Sequence, residues 1–243
     1  MSQPTDLIIT NARALTSDPA NPRAEAIAIR GQTIVFVGPA RAADAWCGPQ
    51  TRLIDAQGCT LLPGIIDSHY HLLLGSLHLD EAHLGEVSSL DELVAALGDF
   101  AQQQPDREWL VGSGLKYNIL PGGQNLTRQH LDAISETRPI FVLSYDGHTA
   151  WANTTALRRA GILQGGETLP NSEIVMGVDG LATGELREPG AYDHIRDLLP
   201  VPDEVQKRRL LQQGLAQAAA LGITSIHNMD GDAAQMALYA NLL

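Results

Sequence analysis

The sequence predicts an α/β chain with a parallel sheet, entered through a small β unit. Three observations carry that expectation. Roughly the first sixty residues break into short apolar runs separated by turn residues. From Leu61 onward, strand-like runs alternate with amphipathic stretches. No run of about 18 apolar residues interrupts either part, so no membrane span is expected.

The elements follow in order. Leu7 to Thr10 is an apolar run ending at Asn11. Ala24 to Arg30 and Thr33 to Val37 flank Gly31-Gln32, a two-residue gap of hairpin type. Thr51 to Ala56 and Cys59 to Leu62 flank the turn Gln57-Gly58. Leu61 to Ile66 reads as a strand interrupted by Pro63-Gly64. Leu90 to Gln103 carries apolar residues at helical spacing, and Ser89 with Glu92 forms a capping box at its start. Trp109 to Gly112 and Pro139 to Leu143 read as strands, and Thr127 caps a helix running to about Ile134. A helix starts at Asn153 and ends at Gly161. Ile174 to Met176 and Leu181 to Leu186 form a hairpin around Val178-Asp179-Gly180. Pro202 opens a long helix that ends near Leu221, Ile223 to His227 is a strand, and Asp232 caps a last helix running to Leu243.

The 243 residues are 44% hydrophobic and 18% charged, enough for a core and too apolar for wholesale disorder. Sixteen basic against twenty-eight acidic residues leave a net charge of −12. A nucleic-acid module needs a basic face, and a polybasic membrane anchor needs a basic cluster, so neither partner is expected. Cys47 and Cys59 are too few for a disulfide framework and are not spaced as a CxxC pair. Met1 to Asp6 lacks the basic and apolar regions of a signal peptide, so a cytoplasmic location is expected. Self-association into a homo-oligomer stays open.

The strongest chemical signal is Asp67-Ser-His-Tyr-His71, placed just after the strand at Leu61. In an extended segment residues i and i+2 point to one side, so His69 and His71 can present two imidazoles to one metal ion. With eight His in the chain, such a pair arises by composition about 0.26 times. Its place at the carboxyl end of a strand, where α/β sites gather, favours chemistry over chance.

Leu62-Pro-Gly-Ile-Ile-Asp-Ser-His-Tyr-His71 resembles the first-strand metal motif of the amidohydrolase superfamily. Asp146-Gly-His-Thr-Ala-Trp-Ala-Asn-Thr-Thr-Ala-Leu157, Gly184-Glu-Leu-Arg-Glu188 and Gly222-Ile-Thr-Ser-Ile-His227 resemble three segments of its YtcJ-like, or amidohydrolase 3, branch, in the same order. The resemblance implies a partial TIM-type barrel over residues 63–243, preceded by strands of a small β-sandwich over residues 1–62.

It also implies site roles. His69 and His71 become metal ligands, and His148 a substrate contact, where the alternative is a cap on the following helix. Glu188, with Glu185 nearby, is favoured as a carboxylate ligand over a solvated loop acid. Many superfamily members use a carboxylated Lys for that role. Here only Lys116 and Lys207 exist. Lys207 sits in Lys-Arg-Arg on a helix, and Lys116 stays open as the alternative to Glu188. His227, at a strand end, is a further metal ligand or a histidine bonded to backbone. His78, His83, His130 and His194 match no motif and are expected to be surface or core residues.

The implied reaction is hydrolysis of a C–N, amide-type, non-peptide bond in a small molecule by metal-activated water, with a divalent ion, Zn²⁺ first, as cofactor. The proton-moving Asp of the family comes from its last barrel strand and is expected beyond residue 243. Barrel-type strands are counted at 61, 109, 140 and 223, against the eight that close such a barrel. The expectation is therefore an N-terminal portion of a metal-dependent hydrolase, weak or inactive alone. Two other readings compete. One is a non-catalytic metal-binding or interaction module with an amidohydrolase-like half-barrel. The other is a complete α/β binding domain with incidental histidines, although no GxGxxG or P-loop follows a strand.

Overall fold

A computed structural model describes residues 4–242. The expectations that fall on Met1 to Gln3 and on Leu243 lie outside those residues. The chain divides into two compact units. One holds the chain up to Ser68 together with Leu221–His227, and the other holds His69–Ala220 together with the segment from Asn228 on.

In the first unit a four-stranded sheet runs in the order Thr33–Gly38, Ala26–Arg30, Leu7–Thr10, Arg52–Asp55. Leu7–Thr10 is antiparallel to Ala26–Arg30 and parallel to Arg52–Asp55. Ile8, Ala26 and Ala28 are buried with Ala43 of the short helix Ala40–Ala43. A second sheet joins Arg23–Ala24, Arg13–Leu15 and Thr60–Leu61.

The strand expected from Leu61 to Ile66 is two strands. Thr60–Leu61 pairs with Arg13–Leu15, whereas Ile65–Tyr70 pairs with Ile223–Asn228. Pro63, which has no backbone N–H, separates them. Gly64 lies against Thr224, and a Cβ there would come 2.2 Å from the threonine hydroxyl oxygen. The Ile65 N–H donates to the Gly222 carbonyl, and the Met229 N–H donates to the Tyr70 carbonyl, each at 2.9 Å. Both strands advance together between those bonds, so they are parallel.

The second unit is built on a six-stranded sheet in the order Glu173–Met176, Ala182–Arg187, Thr149–Ala152, Ile140–Ser144, Leu110–Leu115, Ala82–His83. Leu110–Leu115 is parallel to both its neighbours, and the remaining pairs are antiparallel. Strand alternation splits the core between the two faces. Leu110, Ile140, Val142 and Trp151 join Leu93 and Leu97 of the helix Leu90–Gln103 in one cluster. Phe141, Ala150 and Ala152 join Leu157, Leu186 and Ile195 in the other. Ser89 caps the Leu90 helix as expected, accepting from the Glu92 N–H at 3.2 Å. The Glu92 carboxylate reaches Ser88 instead of Ser89, so the box is shifted by one residue on that side.

All four expected strands are present, but their sheet arrangement differs from the one expected. The strands expected at 61, 109, 140 and 223 do not share one parallel sheet. The turn 145–148 sends Thr149–Ala152 back antiparallel to Ile140–Ser144, and the Glu173–Met176 hairpin extends the reversal. The fold is mixed α/β with several sheets, and the described residues contain no closed barrel. Among them, no helix is long and apolar enough to cross a membrane.

Candidate metal centre and the neighbouring carboxylate–imidazole pair

His69 lies near the end of Ile65–Tyr70, and His71 follows directly as the N-cap of the helix Leu72–Leu77. The two rings meet edge to face with centroids 5.3 Å apart. The i, i+2 pairing expected from the sequence is therefore present, although His71 has already left the strand. His71 Nδ1 lies 2.7 Å from Asp230 Oδ2. The hydrogen bond from His71 holds the Asp230 carboxyl below its ordinary pKa, with help from Gln235 and Asn228 and against the effect of burial.

Asp230 and Asn228 are site neighbours that sequence reasoning missed. Their signal was two polar residues at i, i+2 spacing just past an apolar strand, in His227-Asn-Met-Asp230. Two imidazoles in contact form a donor set suited to a borderline divalent ion. Among the described residues, no three His, Cys, Asp or Glu side chains converge as a complete cage. His69 and His71 therefore fit a metal as a two-nitrogen half-site.

A second group forms at one end of the six-stranded sheet. His148 Nδ1 lies 3.1 Å from Glu188 Oε2, and the Glu188 N–H donates to the His148 carbonyl at 2.7 Å. The hydrogen bond and charge of Glu188 raise the His148 pKa above the usual imidazole value. Asp146 fixes the turn, with Oδ1 accepting from the Ser144 hydroxyl (2.7 Å), the Tyr117 hydroxyl (2.9 Å) and the His148 N–H (3.1 Å). Burial works to raise the Asp146 pKa, but those donors outweigh it and the carboxyl is lowered.

Glu188 has φ +65° and ψ 157°, backbone territory that belongs almost entirely to glycine. Strain of that kind is retained where the surroundings enforce it, and it concentrates at functional sites. Glu185 differs. It is buried and its carboxylate holds Arg187 Nε at 2.8 Å.

The structure thus joins His69 to His71 and His148 to Glu188, without drawing the two pairs into one three-ligand cluster. His227 lies in the first unit, exposed near the end of Ile223–Asn228. Lys116 is exposed just past Leu110–Leu115, where its charge acts on Glu92. Three of the four unassigned histidines have structural partners. His78 bonds Glu81, His130 accepts from the Thr127 N–H in a capping box, and His194 meets the Glu167 carbonyl. His83 is exposed in Ala82–His83.

Comparison with known proteins adds the following. A family model described as "Amidohydrolase family" matches residues 52–242. "Protein LONG AFTER FAR-RED 3" of Arabidopsis thaliana is 30% identical over 221 residues, 91% of this chain and 38% of that protein. "N-substituted formamide deformylase" of Arthrobacter pascens is 30% identical over 196 residues, 79% of this chain and 36% of the enzyme. An uncharacterized metal-dependent hydrolase from Pyrococcus furiosus superposes with a TM-score of 0.61 at 21% identity, over 98% of this chain and 48% of that one, which is a likeness of fold. The chain spans less than half the length of each of these relatives.

Proposed function

The chain belongs to the amidohydrolase family, in its YtcJ-like branch, and on that premise we propose that it forms part of a metal-dependent hydrolase acting on C–N bonds of small amide-type molecules. The observation that carries this is the ring contact of His69 and His71 at the end of Ile65–Tyr70. One relative's name, the formamide deformylase, supports amide-type C–N bonds as the target class. A divalent ion, Zn²⁺ first, would supply Lewis acidity that makes water a competent nucleophile near neutral pH.

The chain's own residues take distinct parts. His69 and His71 offer the nitrogen donors. Glu188 is proposed as a carboxylate ligand, supported by its strained backbone and by an exposed carboxylate that Glu185 does not have. His148 is proposed to contact substrate, its turn fixed by Asp146 and its ring held against Glu188. His227 is proposed as a further ligand on its sequence motif alone. The proton-moving Asp of the family is not assigned to any residue of this chain.

The test is metal content. Purified protein is expected to carry up to one Zn²⁺, and replacing both His69 and His71 with Ala should remove it. Unchanged metal content in that double variant overturns the proposal. Glu188→Gln should weaken metal binding far more than Glu185→Gln, and equal effects would remove Glu188 from the ligand set.

A further inference from the structure

We infer that Asp230 is a positioning residue for His71, turning the imidazole so that Nε2 is the nitrogen offered to a metal ion. The inference rests on the metal-site proposal above and adds to it a residue from a distant part of the chain.

A carboxylate only accepts hydrogen bonds, so at 2.7 Å the shared hydrogen belongs to His71 Nδ1, and in the neutral ring that leaves the lone pair on Nε2. Metal-ligating histidines commonly donate their second ring nitrogen to a carboxylate in this way, which fixes both tautomer and ring orientation. The carboxylate is itself fixed. Its other oxygen, Oδ1, accepts from Asn228 Nδ2 at 2.9 Å and from Gln235 Nε2 at 3.1 Å. Two donors on Oδ1 leave Oδ2 directed at His71.

The same residues anchor the backbone that follows His71. Asn228 Oδ1 accepts the Leu72 N–H at 2.9 Å. The Tyr239 hydroxyl accepts the Leu73 N–H at 3.2 Å and also bonds the Gln235 amide. These are N–H groups of the first helical turn, which have no partner within the helix. His71 supplies no side-chain cap to its own helix. Asn228 and Tyr239 replace that cap and leave the imidazole for other work. Ring, carboxylate and helix start are thus tied to one frame made by residues 228–239.

The experiment compares wild type, Asp230→Asn and Asp230→Ala by Zn²⁺ titration against a chromophoric chelator. Nitrogen-15 NMR of the imidazoles without metal accompanies it. Wild-type His71 is expected to carry its hydrogen on Nδ1. Asp230→Asn, which keeps the shape and loses the charge, should weaken Zn²⁺ binding by about 10–100-fold, raise the share of the Nε2–H tautomer and leave the far-UV circular dichroism unchanged. If wild type takes up no Zn²⁺, the metal-site proposal falls and this inference with it. If wild type binds and Asp230→Asn binds within about twofold of it, only the positioning role falls. A wild-type His71 with its hydrogen on Nε2 also overturns the role, whether or not either variant folds.

Discussion

Replacing Asn153 with Ala should cost about 4 kcal/mol of stability, far more than a helix cap alone. The side chain is completely buried. Its Oδ1 accepts from the Ala156 N–H at 2.9 Å, which is the cap of the helix Thr154–Arg159, and from the Ile140 N–H at 3.0 Å. Its Nδ2 donates to the Ser135 carbonyl at 2.8 Å and the Arg138 carbonyl at 2.9 Å. All four hydrogen-bonding positions of the amide are used. Losing a cap of this kind typically costs about 1 kcal/mol. The Ile140 N–H and the two carbonyls would then be left without this partner, at about 1 kcal/mol or more each. Asp separates the contributions. It keeps both acceptors and restores the cap, but it aims a carboxylate at two carbonyls, so Asn153→Asp should be no more stable than Asn153→Ala. Urea unfolding followed by circular dichroism measures both. A loss below about 1 kcal/mol in Asn153→Ala, or an Asn153→Asp protein close to wild type, would refute the reasoning.

Gly184 has φ +107°, and a Cβ there would lie 2.6 Å from the Arg128 nitrogen and 2.7 Å from the Ala152 oxygen. Gly184→Ala should therefore lose about 3 kcal/mol or more, whereas Gly180→Ala, at φ +75° in open space, should lose about 1 kcal/mol. Equal thermal shifts would contradict this. Glu188→Gly should relieve backbone strain of about 1–3 kcal/mol at a smaller entropic cost and raise the melting temperature. The His148 pKa should fall with it, since Glu188 is what raises it. A destabilised Glu188→Gly protein would show that the strain is not stored there. Burial of His78 opposes its charged form, but the hydrogen bond and charge of Glu81 outweigh burial and raise its pKa. The pair's stabilisation is then complete below about pH 6.5 and is lost as pH rises through the raised value. The stability gap between wild type and His78→Gln should shrink as pH rises above about 6.5, and a widening gap would reverse the assignment.

Local elements were legible because their signals are local. Ser89, Thr127, Asn153 and Asp232 each begin the helix they were expected to begin, and Gly161 and Gly222 follow helices at positive φ. The sheet was not legible in the same way. Trp109 to Leu143 reads as strand, helix, strand, and that part is indeed a parallel pair. Whether the next strand returns antiparallel is decided by four residues, Tyr145 to His148, whose turn is held by hydrogen bonds that the Tyr117 and Ser144 hydroxyls donate to Asp146. Nothing in the apolar periodicity of Thr149–Ala152 records its direction. At the candidate site, His69 and His71 were visible because two like ligands stand two residues apart. Asp230 was not, because its partner is 159 residues away and an acid in a loop has many bland explanations.

The parallel pairing of Ile65–Tyr70 with Ile223–Asn228 also shapes how the chain comes off the ribosome. Roughly 150 residues must be made between one strand and its partner, which at about 5–20 residues per second takes some 8–30 s. The whole six-stranded sheet of the second unit is synthesised in that interval. Throughout it, a nascent strand carrying Ile65 and Ile66, which stay 51% and 65% exposed even after pairing, waits with an open edge. Such an edge templates pairing with other chains, so the hazard lasts until residues 223–228 have emerged.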